Sequence, residues 1–224
     1  MKDTAKTACK RCGTCCRKGG PALHLEDRQL VAKNLLPVAS LFTIRPAEPV
    51  IDNVAGRITL AESDIIKIKS AADCPACMFL ETESNTCSIY GHRPLECRVL
   101  ECRQPERLQS IYRRERLSRR DILLPQKAWL WDLVCEHQRR CDYLEVARLA
   151  RRWLASADEE VSTALMDIMR YDAGLREVCR REGGIAPELL DFLFGVSLSV
   201  TIARFGLNLV RSREGKYRFT ARKQ

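Results

Sequence analysis

Four cysteines fall within eight residues near the start of the chain, in the run Cys9-Lys-Arg-Cys12-Gly-Thr-Cys15-Cys16. No other stretch restricts the fold as tightly. Cysteines at i, i+3 and i+6 let one short loop aim three sulfurs at a common centre, which is the spacing that a tetrahedral zinc ion or an iron–sulfur cluster requires. Adjacent side chains tend to diverge, so of Cys15 and Cys16 one is expected to serve a different metal or to stay free. The fourth corner must then come from a distant segment. Cys74-Pro-Ala-Cys77 offers a second Cys-x-x-Cys pair, and Cys87 and Cys97 follow it. The set could fill two zinc sites, or one cluster with spare thiols.

The rest of the composition argues that the cysteines are not staples. A chain of 224 residues that is 46% hydrophobic can bury an ordinary core without cross-links. Nine of the 12 cysteines nevertheless lie before residue 103. Met1, Lys2, Asp3 and Lys6 open the chain without an apolar stretch behind them, so no secretory signal is expected, and a cytoplasmic chain would keep its thiols reduced. The longest apolar stretch, residues 189–210, is interrupted by Asp191, Arg204 and Asn208, and no membrane span is expected. The net charge of +9 favours loose contact with nucleic acid or an acidic surface. It also has a second use, because a four-thiolate zinc site carries a net charge of about −2 that nearby Arg and Lys can offset.

The pattern along the chain is α+β and mostly helical. A cysteine-rich metal-binding part, residues 1–103, carries short hairpins, and a helical part, residues 104–224, has a basic first helix and a terminal hairpin. Residues 23–36 read as a helix ended by Pro37. Residues 50–60 read as a hairpin turning at 53–56, and 65–68 as a strand. Residues 78–80 and 88–90 suggest two strands around the polar turn 82–85, with Cys77 and Cys87 flanking a second hairpin and Pro94 breaking the chain before Cys97. Val161, Ala164, Leu165, Ile168 and Met169 follow helical periodicity behind a capping box of Ser156 and Glu159, with Gly174 as the expected stop. Pro187 begins a last long helix that Gly206 ends, and residues 207–210 and 217–220 form the terminal hairpin.

Several other side chains are candidates for roles at such a centre. Tyr90, Arg93 and Arg98 lie among the later cysteines, where arginines could hydrogen-bond thiolate sulfur or simply carry surface charge. His92 could be a ligand. His24 leads a helix and is expected to pack or cap, and His137 sits between Cys135 and Cys141 in either a small metal loop or a helix surface. Cys135 and Cys179 read as buried thiols. Residues 103–120 hold seven arginines and two glutamates. A helix of that kind could bind nucleic acid or lie on the core through Leu108, Ile111 and Tyr112. Trp129 and Trp131 read as core or interdomain anchors.

These residues resemble a known family, the YkgJ-type CxxCxxCC cysteine cluster proteins, described as zinc- or iron-chelating. Cys9-x-x-Cys12-Gly13-x-Cys15-Cys16 is similar to its first block, and Cys77-x-Phe79-Leu80 to its second. Cys87-Ser88-Ile89-Tyr90 followed by Arg93-Pro94-Leu95-x-Cys97-Arg98 resembles its third. The resemblance covers residues 9–103 and implies that Cys9, Cys12, Cys15, Cys16, Cys77, Cys87 and Cys97 hold the metal, as zinc or as a 4Fe-4S iron–sulfur cluster. Cys74 and Cys102 fall outside the blocks. Some relatives in this family are flagellin lysine N-methylases, which implies a second reading, a cluster-dependent group-transfer enzyme. The chain has neither a Cys-x-x-x-Cys-x-x-Cys run nor a Gly-rich nucleotide loop to support that reading directly. Three functions therefore stand: a metal-binding protein, a cluster-dependent group-transfer enzyme resembling the methylases, and a nucleic-acid-binding adaptor built on the Arg-rich helix. A protein partner for the helical part is compatible with the first.

Overall fold

The computed structural model describes residues 9, 11–101, 104–125, 127–212 and 215–222. Cys102 and Arg103 lie outside these residues. About 48% of the chain is helical, and the strands form small antiparallel pairs, in keeping with an α+β fold.

The strand pairs follow from alternation. Strand β1 (Leu41–Ile44) pairs with β4 (Ile65–Ile68), setting Leu41 opposite Ile68 and Thr43 opposite Ile66. These four side chains are buried, while Phe42 and Lys67 face the other way. Strands β2 (Pro49–Asp52) and β3 (Arg57–Leu60) form the expected hairpin, closed by Asp52, whose carboxylate accepts the N–H groups of Val54 and Ala55. The second hairpin is also present, but its strands are β5 (Leu80–Glu81) and β6 (Thr86–Cys87), shorter and nearer the turn than expected. Strands β7 (Leu207–Arg211) and β8 (Tyr217–Ala221) make the terminal hairpin.

The helices depart more from expectation. Residues 23–36 yield only α1 (Arg28–Ala32), because Leu23 is held extended between two partners: its N–H donates to Ile66 and its carbonyl accepts from Leu117. Asn34 then turns the chain at φ 54°. Short α2 (Leu95–Val99) starts directly after Pro94. The Arg-rich run is not one helix. It breaks into α3 (Glu106–Ile111) and α4 (Arg119–Leu123), the latter begun by a reciprocal Ser118–Asp121 capping box.

Four helices follow, α5 (Ala128–Arg140), α6 (Tyr143–Ser156), α7 (Glu159–Arg181) and α8 (Pro187–Phe194), and a short α9 (Leu198–Thr201) ends the series. Helix α7 is capped by Asp158, which accepts from Glu160 and Val161, whereas Ser156 closes α6. The helix runs through Gly174. A helix-interior glycine costs only about 1 kcal/mol, and buried Met169, Asp172 and Cys179 anchor the turns on both sides. The expected helix from Pro187 stops early, at Gly195. A Cβ there would lie 3.0 Å from the Thr43 carbonyl oxygen and 3.1 Å from Arg45 Cγ, so the chain must pass β1 at φ 74°.

Two apolar cores result. The first gathers Leu23, Leu36, Leu41 and Ile66 with Leu117, Val134 and Phe192, and so draws on both sides of residue 103. The second lies among α6, α7, α9 and the terminal hairpin, around Tyr143, Leu165, Ile202 and Phe219. Trp131 packs on the first core, but Trp129 is 57% exposed, and Cys135 is exposed where a buried thiol was expected.

One buried ion pair joins the parts. Arg119 is fully buried; its Nε and Nη2 meet both oxygens of Asp64 at 2.8 and 2.7 Å, and its Nη1 donates to the Leu193 carbonyl at 2.7 Å. Its position in a charge run hid this role. Arg119→Ala would leave Asp64 buried without its partner and should cost about 3–5 kcal/mol in urea denaturation, against less than about 0.5 kcal/mol for exposed Arg120→Ala.

Candidate metal centre

The first cysteine block is a loop held by its own backbone and by one arginine. Gly13 takes φ 72°, and the Arg17 N–H returns to its carbonyl at 2.9 Å. The Arg17 guanidinium then reaches across to the β5–β6 turn, donating to Asn85 Oδ1 at 2.5 Å and to the Thr82 carbonyl at 3.3 Å, and back to the Cys12 carbonyl at 3.4 Å. A Cβ on residue 13 would sit 2.4 Å from Arg17 Nη1 and 2.8 Å from Asn85 Oδ1, which explains the glycine. A second tie is direct: the Cys77 N–H donates to the Cys16 carbonyl at 2.7 Å. Gly20 lies against β4, where a Cβ would come within 2.3 Å of the Ile68 carbonyl oxygen. The third block arrives on α2, placed by Pro94 and by Asp27, whose carboxylate accepts the Leu95 N–H at 2.8 Å.

These ties bring three segments together. Cys9, Cys12, Cys15, Cys16, Cys77, Cys87 and Cys97 all line one cavity of about 230 Å³. Among the described residues no other cysteine lines it, and Cys74 is exposed outside. The inner sulfurs belong to Cys15, Cys16, Cys77, Cys87 and Cys97, and Cys9 and Cys12 are exposed at the rim. Cys15 and Cys16 do not diverge as expected. Their sulfurs are 3.9 Å apart and face the same cavity. Zinc–sulfur bonds of about 2.3 Å give a tetrahedral edge of about 3.8 Å, so this separation suits two ligands of one ion.

The electrostatics are those of crowded thiols. Burial, and then Cys15, Cys77 and Cys87, push the Cys16 thiol up to about 12. Burial followed by the neighbouring thiols raises Cys97 further, and raises Cys77 as well, although a backbone N–H at Phe79 opposes it. Cys12 moves down instead, chiefly through its hydrogen bond with the Thr14 side chain and then the Thr14 N–H. Cys9 receives the Arg11 N–H at 3.4 Å. Cys12 and Cys77 each face an N–H two residues on, a contact that favours thiolate. The donor set fits zinc or an iron–sulfur cluster, both of which accept thiolate sulfur.

Positive groups surround the mouth. Arg11 and Arg93 both lie over the Tyr90 ring, 4.0 and 3.7 Å from its centre. Arg93 donates to the Tyr90 carbonyl, and Arg98 pairs with Glu26 at 2.7 Å, so neither arginine hydrogen-bonds a sulfur. His92 is exposed and does not line the cavity. His24 is buried and caps a 3₁₀ turn, with its ring against Glu96 at 3.4 Å and the Arg114 carbonyl at 2.7 Å.

His137 lies neither on a helix surface nor in a loop. It is fully buried, and its Nε2 is 2.8 Å from Asp172 Oδ1. Potential ligand atoms of His137, Cys141 and Asp172 lie within 4.8 Å of one another, a grouping the i, i+4 spacing of His137 and Cys141 hints at. Arg176, Ser197 and the Leu198 N–H already bind the Asp172 carboxylate, and Arg45 donates to the Cys141 carbonyl at 2.9 Å. Two guanidiniums beside these groups disfavour a further cation, and the arrangement serves the fold.

A cavity walled by clustered cysteines in an α+β chain places this protein in the class of metal chelators. Residues 8–116 match the family model CxxCxxCC, "Putative zinc- or iron-chelating domain". No curated protein and no solved structure matches the chain. Among the described residues no helix is long and apolar enough to cross a membrane.

Burial lowers the His137 pKa from 6.5 to about 4, against the opposing pull of Asp172. The unfolded chain therefore binds more protons than the folded one between these values, and stability falls as pH drops through that window. The difference amounts to about 3 kcal/mol. Urea midpoints measured from pH 7 to pH 4 should fall less steeply for His137→Gln than for wild type; parallel profiles would refute this assignment.

Proposed function

We propose that the protein chelates metal through Cys9, Cys12, Cys15, Cys16, Cys77, Cys87 and Cys97, as zinc or as an iron–sulfur centre. One observation carries the reading: the seven thiols of three separate segments share one cavity. The match to a zinc- or iron-chelating family model supports it independently. Seven donors exceed the needs of one four-coordinate ion. Two zinc ions sharing one bridging thiolate would use them all, whereas a 4Fe-4S cluster would use four and leave three. A zinc centre would supply a rigid cross-link, and an iron–sulfur cluster would add electron transfer.

The chain's own part is to hold the sulfurs. Arg17 ties the first block to the β5–β6 turn, the Cys77 N–H ties it to the second, and α2 presents Cys97. A thiolate zinc site contributes roughly 10–16 kcal/mol of apparent binding free energy, comparable with the whole stability of a domain at about 5–15 kcal/mol. Metal binding on this scale would stabilise the short hairpin and loop that carry the cysteines. The nucleic-acid reading gains no support from the Arg-rich run. Arg113 pairs with Asp52 and Arg119 with Asp64, which turns two of its charges to the protein itself.

Elemental analysis and an absorption spectrum of protein purified without oxygen test the proposal. The expected outcome is either a colourless protein with about two zinc ions per chain, or a brown one with about four iron and four sulfide and a broad band near 400 nm. Cys16→Ser and Cys97→Ser should each lose at least about half of the metal, and Cys74→Ser should retain it. Metal-free protein from metal-replete growth, or full metal retention in both inner variants, would overturn the reading. Removing the metal with a strong chelator should make residues 9–20 and 74–100 the first sites of proteolysis, read by mass spectrometry.

A further inference from the structure

A second cavity, a groove of about 660 Å³, lies between the β2–β3 hairpin and α3 and shares a wall with the cysteine cavity. Lys67 and Glu96 belong to both. The shared wall is built by strand alternation. The extended segment at Ala22–His24 runs between β4 and residues 115–117, with Ala22 bridged to Lys67 and His24 bridged to Arg116. Residues opposite one another in such a bridge face the same side, as do residues two apart along one strand. Leu23, Ile66 and Leu117 therefore turn together into the core, where each is fully buried. Ala22, His24, Lys67 and Arg116 turn together to the opposite face.

Charge on this face is out of balance. Glu96 lies against it from α2, but its carboxylate is occupied by the Ala22 N–H at 2.8 Å and by His24. Among the described residues, no carboxylate is within ion-pair distance of Lys67 or Arg116, and Lys67 Nζ has no hydrogen-bond partner. Arg116 donates only its Nε, to the Tyr112 carbonyl at 2.9 Å, leaving both Nη groups free. Asp52, also on the groove, is taken by Arg113, Val54 and Ala55. Both cations are half-buried. Two half-buried cations on one wall of a groove, with no ion-pair partner among the described residues, form an incomplete arrangement.

We propose that Lys67 and Arg116 bind an oxyanion, a phosphate or a carboxylate, of a small ligand that lies in the groove beside the cysteine cavity. The Arg116 fork offers paired N–H donors to two oxygens, and the Lys67 ammonium adds a point charge from β4, on the far side of the Ala22–His24 segment. Burial lowers the pKa of Lys67 and of Arg116; the Glu96 carboxylate opposes this at both, while Arg116 adds to it at Lys67 and Arg113 at Arg116, and a bound anion would act in the same direction as Glu96. The anion site stands on this geometry alone. The ligand's presentation to a metal rests on the chelation proposed above.

Isothermal titration of the full-length, anaerobically purified protein with sodium phosphate, and separately with sodium succinate, tests the site at constant ionic strength set with chloride. The expected result is one saturable site per chain for at least one anion, and the stronger of the two identifies the source as phosphate or carboxylate. Lys67→Met and Arg116→Met should each weaken binding at least about tenfold, while Lys67→Arg and exposed Arg120→Gln, which lies outside the groove, should stay within about threefold of wild type. Circular dichroism checks folding, and the two independent Met variants keep the test valid if one fails to fold. Absence of saturable binding by either anion, or unchanged affinity in a folded Met variant, would overturn the inference. Metal content measured on the same samples separates the two proposals. Metal without anion binding refutes only the anion site, and anion binding without metal supports the site while refuting the metal centre.

Discussion

Thiols gathered in a half-buried cavity resist ionisation, because each thiolate raises the cost of the next and burial raises the cost of all. Cys16 and Cys97 show this most, with Cys77 behind them. A cation at the centre removes both penalties at once, since it attracts every thiolate and replaces the lost hydration by coordination. The surrounding structure can be understood from this constraint. Three segments of little regular structure converge through specific polar ties, the Arg17 guanidinium on Asn85 and Thr82, the Cys77 N–H on Cys16, and the Asp27 carboxylate on the first turn of α2, while Cys16, Phe79 and Ile89 pack on the first core. Each tie fixes backbone and leaves the sulfur free to face the cavity.

The cysteine-bearing part depends on the helices that follow it. The extended Ala22–His24 segment behind the first block is clamped by Ile66 on one side and Leu117 on the other. Leu117 leads directly into Arg119, which is locked to Asp64 and to the end of α8. Thr43 donates to the Phe192 carbonyl, and Lys69 reaches the Glu188 carbonyl, so β1 and the end of β4 are fastened to the same helix. The wall of the cysteine cavity is therefore braced from behind by α4 and α8. Deeper in, His137, Asp172, Arg176 and Arg45 tie α5 and α7 to the loop after β1.

The local elements of this fold were easier to read from sequence than their ends. Both N-terminal hairpins and the terminal one carry polar turns between apolar runs, and such signals are local. That cysteines from separate segments meet at one cavity was anticipated by local spacing for the opening loop, and by the family resemblance for the set of seven. The misreadings share a different origin. Residues 23–36 have helical composition, yet hydrogen bonds from Ile66 and Leu117 hold Leu23 extended, and no local pattern reports partners so distant in sequence. Gly174 was an expected helix stop and Gly195 was not, yet of the two it is Gly195 that passes close to another backbone. Cys15 and Cys16 were expected to part; the turn that follows instead sets both sulfurs on one side. His137 gave no sign of its burial because Asp172 comes from another helix.

The Arg-rich run shows why charge counts alone assign no function. Its arginines look alike in sequence, but the fold gives them separate tasks. Arg119 is buried in an ion pair, Arg113 braces the β2–β3 hairpin through Asp52, and Arg116 faces the groove with free donors. The same division holds around the cysteines. Arg11 and Arg93 are satisfied by the Tyr90 ring and Arg17 by the neighbouring turn, whereas Lys67 has no hydrogen-bond or ion-pair partner among the described residues. If positive charge served only to offset thiolates, the cations nearest the sulfurs would suffice, and Arg116 would have no reason to share a face with Lys67 on the groove side. Alternation along β4 and the Ala22–His24 segment puts them there while sending Ile66, Leu23 and Leu117 to the core. The residues that close the core thus also fix the spacing of the two free cations, which ties the groove's chemistry to the same packing that supports the cysteine cavity.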